Sequence, residues 1–169
     1  MRFSVEHRFP ASLEAVETAM TDPDFFAELR TMSGVEPPVL LDRRAEGDRV
    51  VLEVRYVFSG DLPSVARRVL GRGELAWVQH SNVDRVRHRT DFTIEPEQHA
   101  GLLDCKGVYL LRVESDHTAR TISGDLRVHV PLLAGRAERA ITTGLVERLD
   151  AEAEVLQRWL ADRSPGSGR

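Results

Sequence analysis

The stretch AGRAERAITTGLVERLDAEAEVLQRWLADR, residues 134–163, decides the fold class. It contains no proline. At about 100° per residue, Ala134, Ala137, Ile141, Leu145, Leu149, Leu156 and Trp159 share one stripe. Arg136, Arg139, Thr143, Glu147, Asp150, Glu154 and Arg158 lie opposite. This is the pattern of a long amphipathic helix with one buried face. Such a helix needs a broad apolar surface beneath it, and here only a sheet can supply one. Two polar residues interrupt the stripe: Glu152 at its centre, and Arg148 one turn earlier and slightly to the side. A lone buried carboxylate is costly and needs a partner or water. Arg148, at i, i+4, can be that partner. Glu152 is therefore either a polar anchor in a wet cavity or a solvent-facing residue where the helix leaves the sheet. The second is the simpler expectation.

The sheet is legible upstream. Phe3, Val5, His7 and Phe9 alternate with polar residues and end at Pro10, which predicts a half-buried strand. Ser12 can cap a helix carrying Leu13, Val16 and Met20, stopped at Asp22-Pro23. A second short helix is predicted over 24–32. An irregular strand over 39–45 follows, then alternation of Val50, Leu52, Val54, Tyr56 and Phe58. The segment 61–71, punctuated by Gly and Pro, reads as a single amphipathic turn, with a lid or a packed connection as its two roles. Further strands are predicted over 74–80 (Leu75 and Trp77 on one face) and 85–94 (Val86, His88, Thr90, Phe92, Ile94). Two more carry Leu103, Cys105, Gly107, Tyr109, Leu111 and Val113, and Ile122, Gly124, Leu126, Val128 and Val130. Successive strands with short turns imply an antiparallel meander and an α+β fold.

The chain has 169 residues, 41% hydrophobic and 30% charged, with a net charge of −4. That fits one domain over 1–163, with a frayed tail at 164–169. Mild acidity argues against nucleic acid. Arg85, Arg87 and Arg89 read as a solvated strand face, since Asp84 and Asp91 flank them and no aromatics interleave. The single cysteine, Cys105, excludes an internal disulfide and reads as an inert buried thiol. No run approaches the ~18 apolar residues of a membrane span, and the N-terminus has no signal-like core. The expectation is a cytoplasmic protein without integral membrane association. Six histidines lack metal-ligand spacing, and there is no nucleophile elbow, dinucleotide fingerprint or phosphate loop. No metal, cofactor or catalytic residue is assigned.

The run from Phe3-Ser-Val-Glu-His-Arg-Phe-Pro to Val16, continuing to Asp22-Pro-Asp-Phe-Phe26, resembles the opening of the START-like helix-grip superfamily (SRPBCC, Bet v 1-like). The resemblance extends over about residues 2–163 and is closest to a bacterial domain-of-unknown-function branch. It implies two short helices after the first strand, and a bent antiparallel sheet of six or seven strands gripping the last helix around a cavity. Members include lipid and sterol carriers, polyketide aromatase/cyclases, hormone-binding proteins and chaperone cofactors, so fold alone does not set function.

Within that frame the inward residues are the candidate cavity lining: His7, Val54, Tyr56, Phe58, Trp77, His88, Thr90, Phe92, Cys105, Tyr109 and Leu126, with Ile141, Leu145, Arg148 and Glu152 from the helix. Most are apolar, as a hydrophobic pocket requires. His7, Tyr56, His88, Thr90, Tyr109 and Cys105 either orient a ligand or are satisfied core residues. A buried imidazole tends to be neutral and can act as general base. The leading expectation is a non-catalytic binder of a small hydrophobic or amphipathic ligand of lipid, polyketide or isoprenoid type. A cyclase/dehydratase-like enzyme and a protein-interaction module are the alternatives, and a homodimer is left open.

Overall fold

The structure, a computed structural model, describes residues 1–32, 36–58, 64, 75–98, 101, 103–129 and 134–163. Strand β1 (Arg2–Phe9) is followed by helices α1 (Leu13–Ala19) and α2 (Pro23–Glu28) and a 3-10 turn, Leu29–Thr31. Six strands follow: β2 (Val39–Glu46), β3 (Arg49–Phe58), β4 (Leu75–Asp84), β5 (Arg89–Pro96), β6 (Leu103–Glu114) and β7 (His117–Val128). Helix α3 (Ala134–Asp162) comes last. The strands form one antiparallel sheet in the order β1-β7-β6-β5-β4-β3-β2. Strands β2 to β7 are thus a meander, and β1 returns to pair with β7. This is the predicted helix-grip arrangement.

Local chemistry sets the element ends. Ser12 caps α1 through a bond from Ala15 N to its Oγ (3.2 Å). Asp22 does more than stop α1: its Oδ1 accepts from Asp24 N (2.9 Å) and it starts α2, with Pro23 in the first turn. The bulge between Leu40 and Asp42 accounts for the irregular pattern of β2. Gly107 and Gly124 face each other across β6 and β7. A Cβ on Gly107 would lie 2.3 Å from Ser123 O and 2.7 Å from the Phe92 ring, and one on Gly124 would meet Phe3 at 2.6 Å. The rings of Phe92 and Phe3 occupy the space that side chains at these two positions would need.

One prediction fails at the β4–β5 junction. The alternation over 85–94 predicts a strand from Arg85, but residues 85–88 form a turn. Asp84 Oδ1 accepts from Val86 N (3.1 Å) and Arg87 N (3.0 Å), so the aspartate replaces the ladder locally. Val86 is 71% exposed, and His88 sits at φ 52°, in the left-handed region. Of the three arginines, Arg89 alone is on a strand, where it pairs with Asp91 (2.6 Å).

Helix α3 packs on β7 and β1, with α1 and α2 beside it. Leu149, Leu156, Ile122 and Leu126 are buried in that interface. Full burial of each such side chain stabilises by about 1.5–3 kcal/mol.

Candidate functional site

Helix α3 lies on β7 and β1, and its C-terminal end borders a groove shared with α1, lined by Ala11, Ser12, Ala15, Trp159 and Leu160. A cavity lies under α1 and α2. Glu17, Met20, Thr21, Phe25 and Phe26 form one wall. Leu52, Val54 and Tyr56 of β3 and Gln79, Ser81 and Val83 of β4 line the sheet side, with Thr90 of β5 and Tyr109 and Leu111 of β6. His88 borders it from the turn, and Glu152 is the contribution of α3. The cavity measures about 50 Å³, room for roughly three to five waters. This cavity takes Glu152 from α3, and the short helices supply most of the wall that faces the sheet.

Of the candidate residues, Val54, Tyr56, His88, Thr90, Tyr109 and Glu152 line this cavity. Trp77, Phe92, Cys105, Leu126 and Leu145 are buried in the surrounding core, and Ile141 is half-buried against it. Trp77 stacks on Tyr56 with ring centroids 5.6 Å apart, and so fixes that cavity wall from behind. The Phe58 side chain and residues 61–63 and 65–71 lie outside the described residues. His88 is the residue whose environment differs most from expectation. It is a turn residue, 41% exposed in its side chain, with Nδ1 3.2 Å from Glu17 Oε1.

Glu152 does not face solvent, which corrects the simpler expectation. It is 7% exposed and sits between two arginines. Arg148 Nη1 donates to its Oε2 (3.1 Å), and Arg120 Nη1 to its Oε1 (3.0 Å). Arg120 is wholly buried, with its guanidinium 5.3 Å from the Phe9 ring centroid. The Arg148 guanidinium lies 4.4 Å over the Tyr56 ring. Burial opposes the Arg148 charge, but Tyr56, Glu152 and Tyr109 outweigh it and hold its pKa above the ordinary value.

His7 belongs to this cluster and not to the cavity wall. Its Nε2 lies 2.8 Å from Asp150 Oδ1, and its Nδ1 lies 3.2 Å from Arg120 Nη2. Arginine can only donate, so Nδ1 accepts and the proton sits on Nε2, facing Asp150. Burial lowers the His7 pKa, Asp150 opposes the shift, and Arg120 adds to it. His7 and His88 thus belong to different groups of side chains.

A second polar row crosses the cavity floor. Gln79 Nε2 donates to Ser81 Oγ (3.1 Å) and to Tyr109 Oη (3.5 Å). Burial raises the pKa of both Tyr109 and Tyr56, so both remain neutral phenols. Thr21 bonds to Arg85 through Oγ1 (3.1 Å) and to Arg43 through its carbonyl (2.8 Å). Burial pushes the Cys105 thiol up to about 12, which leaves it protonated and inert. Among the described residues, no group of three or more His, Cys, Asp or Glu side chains is placed to hold a metal, and no helix is long and apolar enough to cross a membrane.

Periodicity alone places several further residues of the site on inward faces. Arg120 lies two residues before Ile122, in phase with the inward face of β7. Gln79 and Ser81 follow Trp77 at the same spacing on β4. Glu17 is four residues after Leu13 and three before Met20, on the apolar stripe of α1.

No curated protein matches the chain. Solved structures share the fold at low identity. The Zhui aromatase/cyclase from a Streptomyces species is 14% identical, with TM-score 0.68 and all of both chains covered. TTHA0849 from Thermus thermophilus is 16% identical, with TM-score 0.68, covering 97% of this chain and all of that one. A START superfamily protein from Mycobacterium smegmatis is 13% identical, with TM-score 0.57, covering 96% and 99%. These likenesses establish a START-like helix-grip fold. Residues 4–160 match the model of a family described as "Protein of unknown function (DUF2505)", and the chain belongs to that family.

Proposed function

We propose that the protein binds a small amphipathic molecule in the cavity beneath α1 and α2. The observation that carries this reading is the composition of the cavity wall. Phe25, Phe26, Tyr56, Leu52 and Val54 give it an apolar body, while Gln79, Ser81, Tyr109 and Glu152 converge on it as polar groups. Gln79 Oε1 is buried without a hydrogen-bond partner, an acceptor open to a ligand donor. An apolar pocket with a few oriented polar groups is the usual form of a ligand site. The shared fold with an aromatase/cyclase and a START superfamily protein supports the same reading.

Size limits the reading. Ligand pockets typically measure about 300–1,000 Å³, against about 50 Å³ here. On this reading the structure is a closed form, and a lipid, polyketide or isoprenoid enters only if Met20, Phe25 and Phe26 move away from β3 and β4. Native mass spectrometry of the gently purified protein tests this directly. A co-purified apolar molecule, or a thermal shift with members of an amphiphile panel, is expected. A protein that arrives empty and shifts with none of them ends the proposal.

One observation favours an enzymatic second reading. Glu17 holds His88 Nδ1, and both line the cavity. A carboxylate that orients an imidazole in this way leaves Nε2 to act as a base. Turnover of polyketide mimics, lost in His88→Ala and Glu17→Gln variants of unchanged melting temperature, would support it. Turnover unaffected by both substitutions would exclude this pair.

A further inference from the structure

We infer that the ligand carries an acidic head, of carboxylate type, recognised by the buried Arg120–Glu152–Arg148 cluster. This rests on the binding reading above and specifies its chemistry. Two guanidiniums and one carboxylate leave the buried part of the cluster with one positive charge in excess; the remaining carboxylate, Asp150, is 58% exposed and reaches Arg120 only through His7. Arg120 is 0%, Arg148 3% and Glu152 7% exposed. An unbalanced charge at that depth is costly unless something in the working state offsets it.

The pattern of used and unused nitrogens is specific. Both oxygens of Glu152 are engaged, one by each arginine. Arg148 gives Nη1 to Glu152, while its Nε and Nη2 are buried without a short hydrogen bond, and the phenols of Tyr109 and Tyr56 are polar groups within reach of its guanidinium. Those two nitrogens form the side-on edge of the guanidinium, the fork that binds a carboxylate through two parallel bonds. Arg120 differs: it gives Nη1 to Glu152 and Nη2 to His7, and only its Nε is unpartnered. The open fork therefore belongs to Arg148. Tyr56 lies under the face of this guanidinium and lines the cavity, as do Glu152 and Tyr109. Arg148 itself does not line the cavity; it lies directly behind Tyr56 and Glu152, which do.

Other charges also border the cavity. Glu17 also lines it, but His88 engages its carboxylate, and Arg85 reaches the adjacent Thr21. The thiol of Cys105, another group in the field of Arg148, is buried and neutral. Among the described residues Arg85 and Arg43 meet Thr21 at the other end, and Arg148 is the guanidinium with two buried nitrogens left without a short bond.

Matched probes separate this inference from the reading beneath it. 2-Naphthoate and 2-naphthylmethanol share a ring and differ in the acid group. Both are titrated by calorimetry and thermal shift at pH 7.5. The acid is expected to bind at least tenfold more tightly than the alcohol. Arg148→Met leaves Arg120 and Glu152 as a balanced pair and should fold, retain alcohol binding and lose the preference for the acid. If that variant does not fold, Arg148→Lys replaces it; it keeps the charge without the fork, and its preference should fall severalfold. Equal affinity for the two probes, or a preference that survives in the Arg148 variant, overturns the acid inference and leaves a neutral amphipathic ligand. Binding of neither probe, nor of any member of the amphiphile panel, overturns both.

Discussion

Glu152→Gln is the sharpest probe of the buried cluster. The substitution keeps shape and volume. It retains one acceptor oxygen and turns an amide NH2 toward the other guanidinium, donor against donor. Arg120 and Arg148, both below 4% exposed, then have no counter-charge. Removing one partner of a buried ion pair costs about 3–5 kcal/mol. In a domain of 150–250 residues, each kcal/mol shifts the melting temperature by about 2–4 °C, so the expected fall is about 6–20 °C. The assay is thermal and urea unfolding at pH 7.5, with circular dichroism to confirm that the variant is native at the start. The companion variant replaces all three residues, Arg120→Met, Arg148→Met and Glu152→Leu. With no buried charge left, it should return to the parent's stability or exceed it, since apolar replacement of a buried charge triad is often neutral or stabilising. A Glu152→Gln protein that melts within about 2 °C of the parent, against the cost expected for a broken buried pair, would show that the three groups are not sequestered together. The argument for an acid-binding site would fall with it.

Three further outcomes follow from single residues. The His7 pKa is lowered in the folded state, so its stability contribution is present above the unfolded value of about 6.5 and is lost as pH falls through the folded value. The melting temperature of the parent should therefore drop more between pH 7.5 and pH 5 than that of His7→Gln, and parallel profiles would contradict the assignment. Gly107→Ala should cost about 1–3 kcal/mol by overpacking, because its Cβ would meet backbone Ser123 O at 2.3 Å. Gly135→Ala, with nothing within 4 Å, is the control and should be neutral or slightly stabilising by urea unfolding. Cys105, buried and with its pKa pushed up to about 12, should resist an aromatic disulfide reagent at pH 8 until the protein is unfolded, and rapid native labelling would refute its burial.

The fold was legible because its signals are periodic and long. The stripe of α3 and the alternation of β3, β6 and β7 each extend over many residues, so local irregularities average out. The failures occur where one side chain outweighs a period. Asp84 takes two backbone donors and ends β4, so Val86 and His88 leave the strand that their alternation implied. The site was legible only in part, for a different reason. Glu152 announces itself as a charge on an apolar stripe, but the partner that settles its fate, Arg120, is 32 residues away on a strand. Periodicity shows that Arg120 faces inward. It does not say what stands opposite, because that depends on how α3 is set across β7 and β1.

The placement of α3 also bears on how the proposed ligand is admitted. A closed cavity must open for anything larger than a few waters, and the wall able to part is the one built from the short helices α1 and α2. Neither carries a member of the arginine cluster. Arg120 is on β7, central to the pairing of β1 and β6, while Arg148 and Glu152 are on α3, packed on that same part of the sheet. Opening α1 and α2 would therefore leave the charged end of the site in its geometry. Recognition of an acid head then needs no reorganisation of the arginines, and the ordering cost of binding falls on the apolar wall alone. On this reasoning a substitution that loosens the wall, such as Phe26→Ala, should speed ligand entry and exit while leaving the preference for acid over alcohol intact. If stopped-flow binding of 2-naphthoate were unchanged in rate, but the preference were lost, wall and anchor would be a single unit.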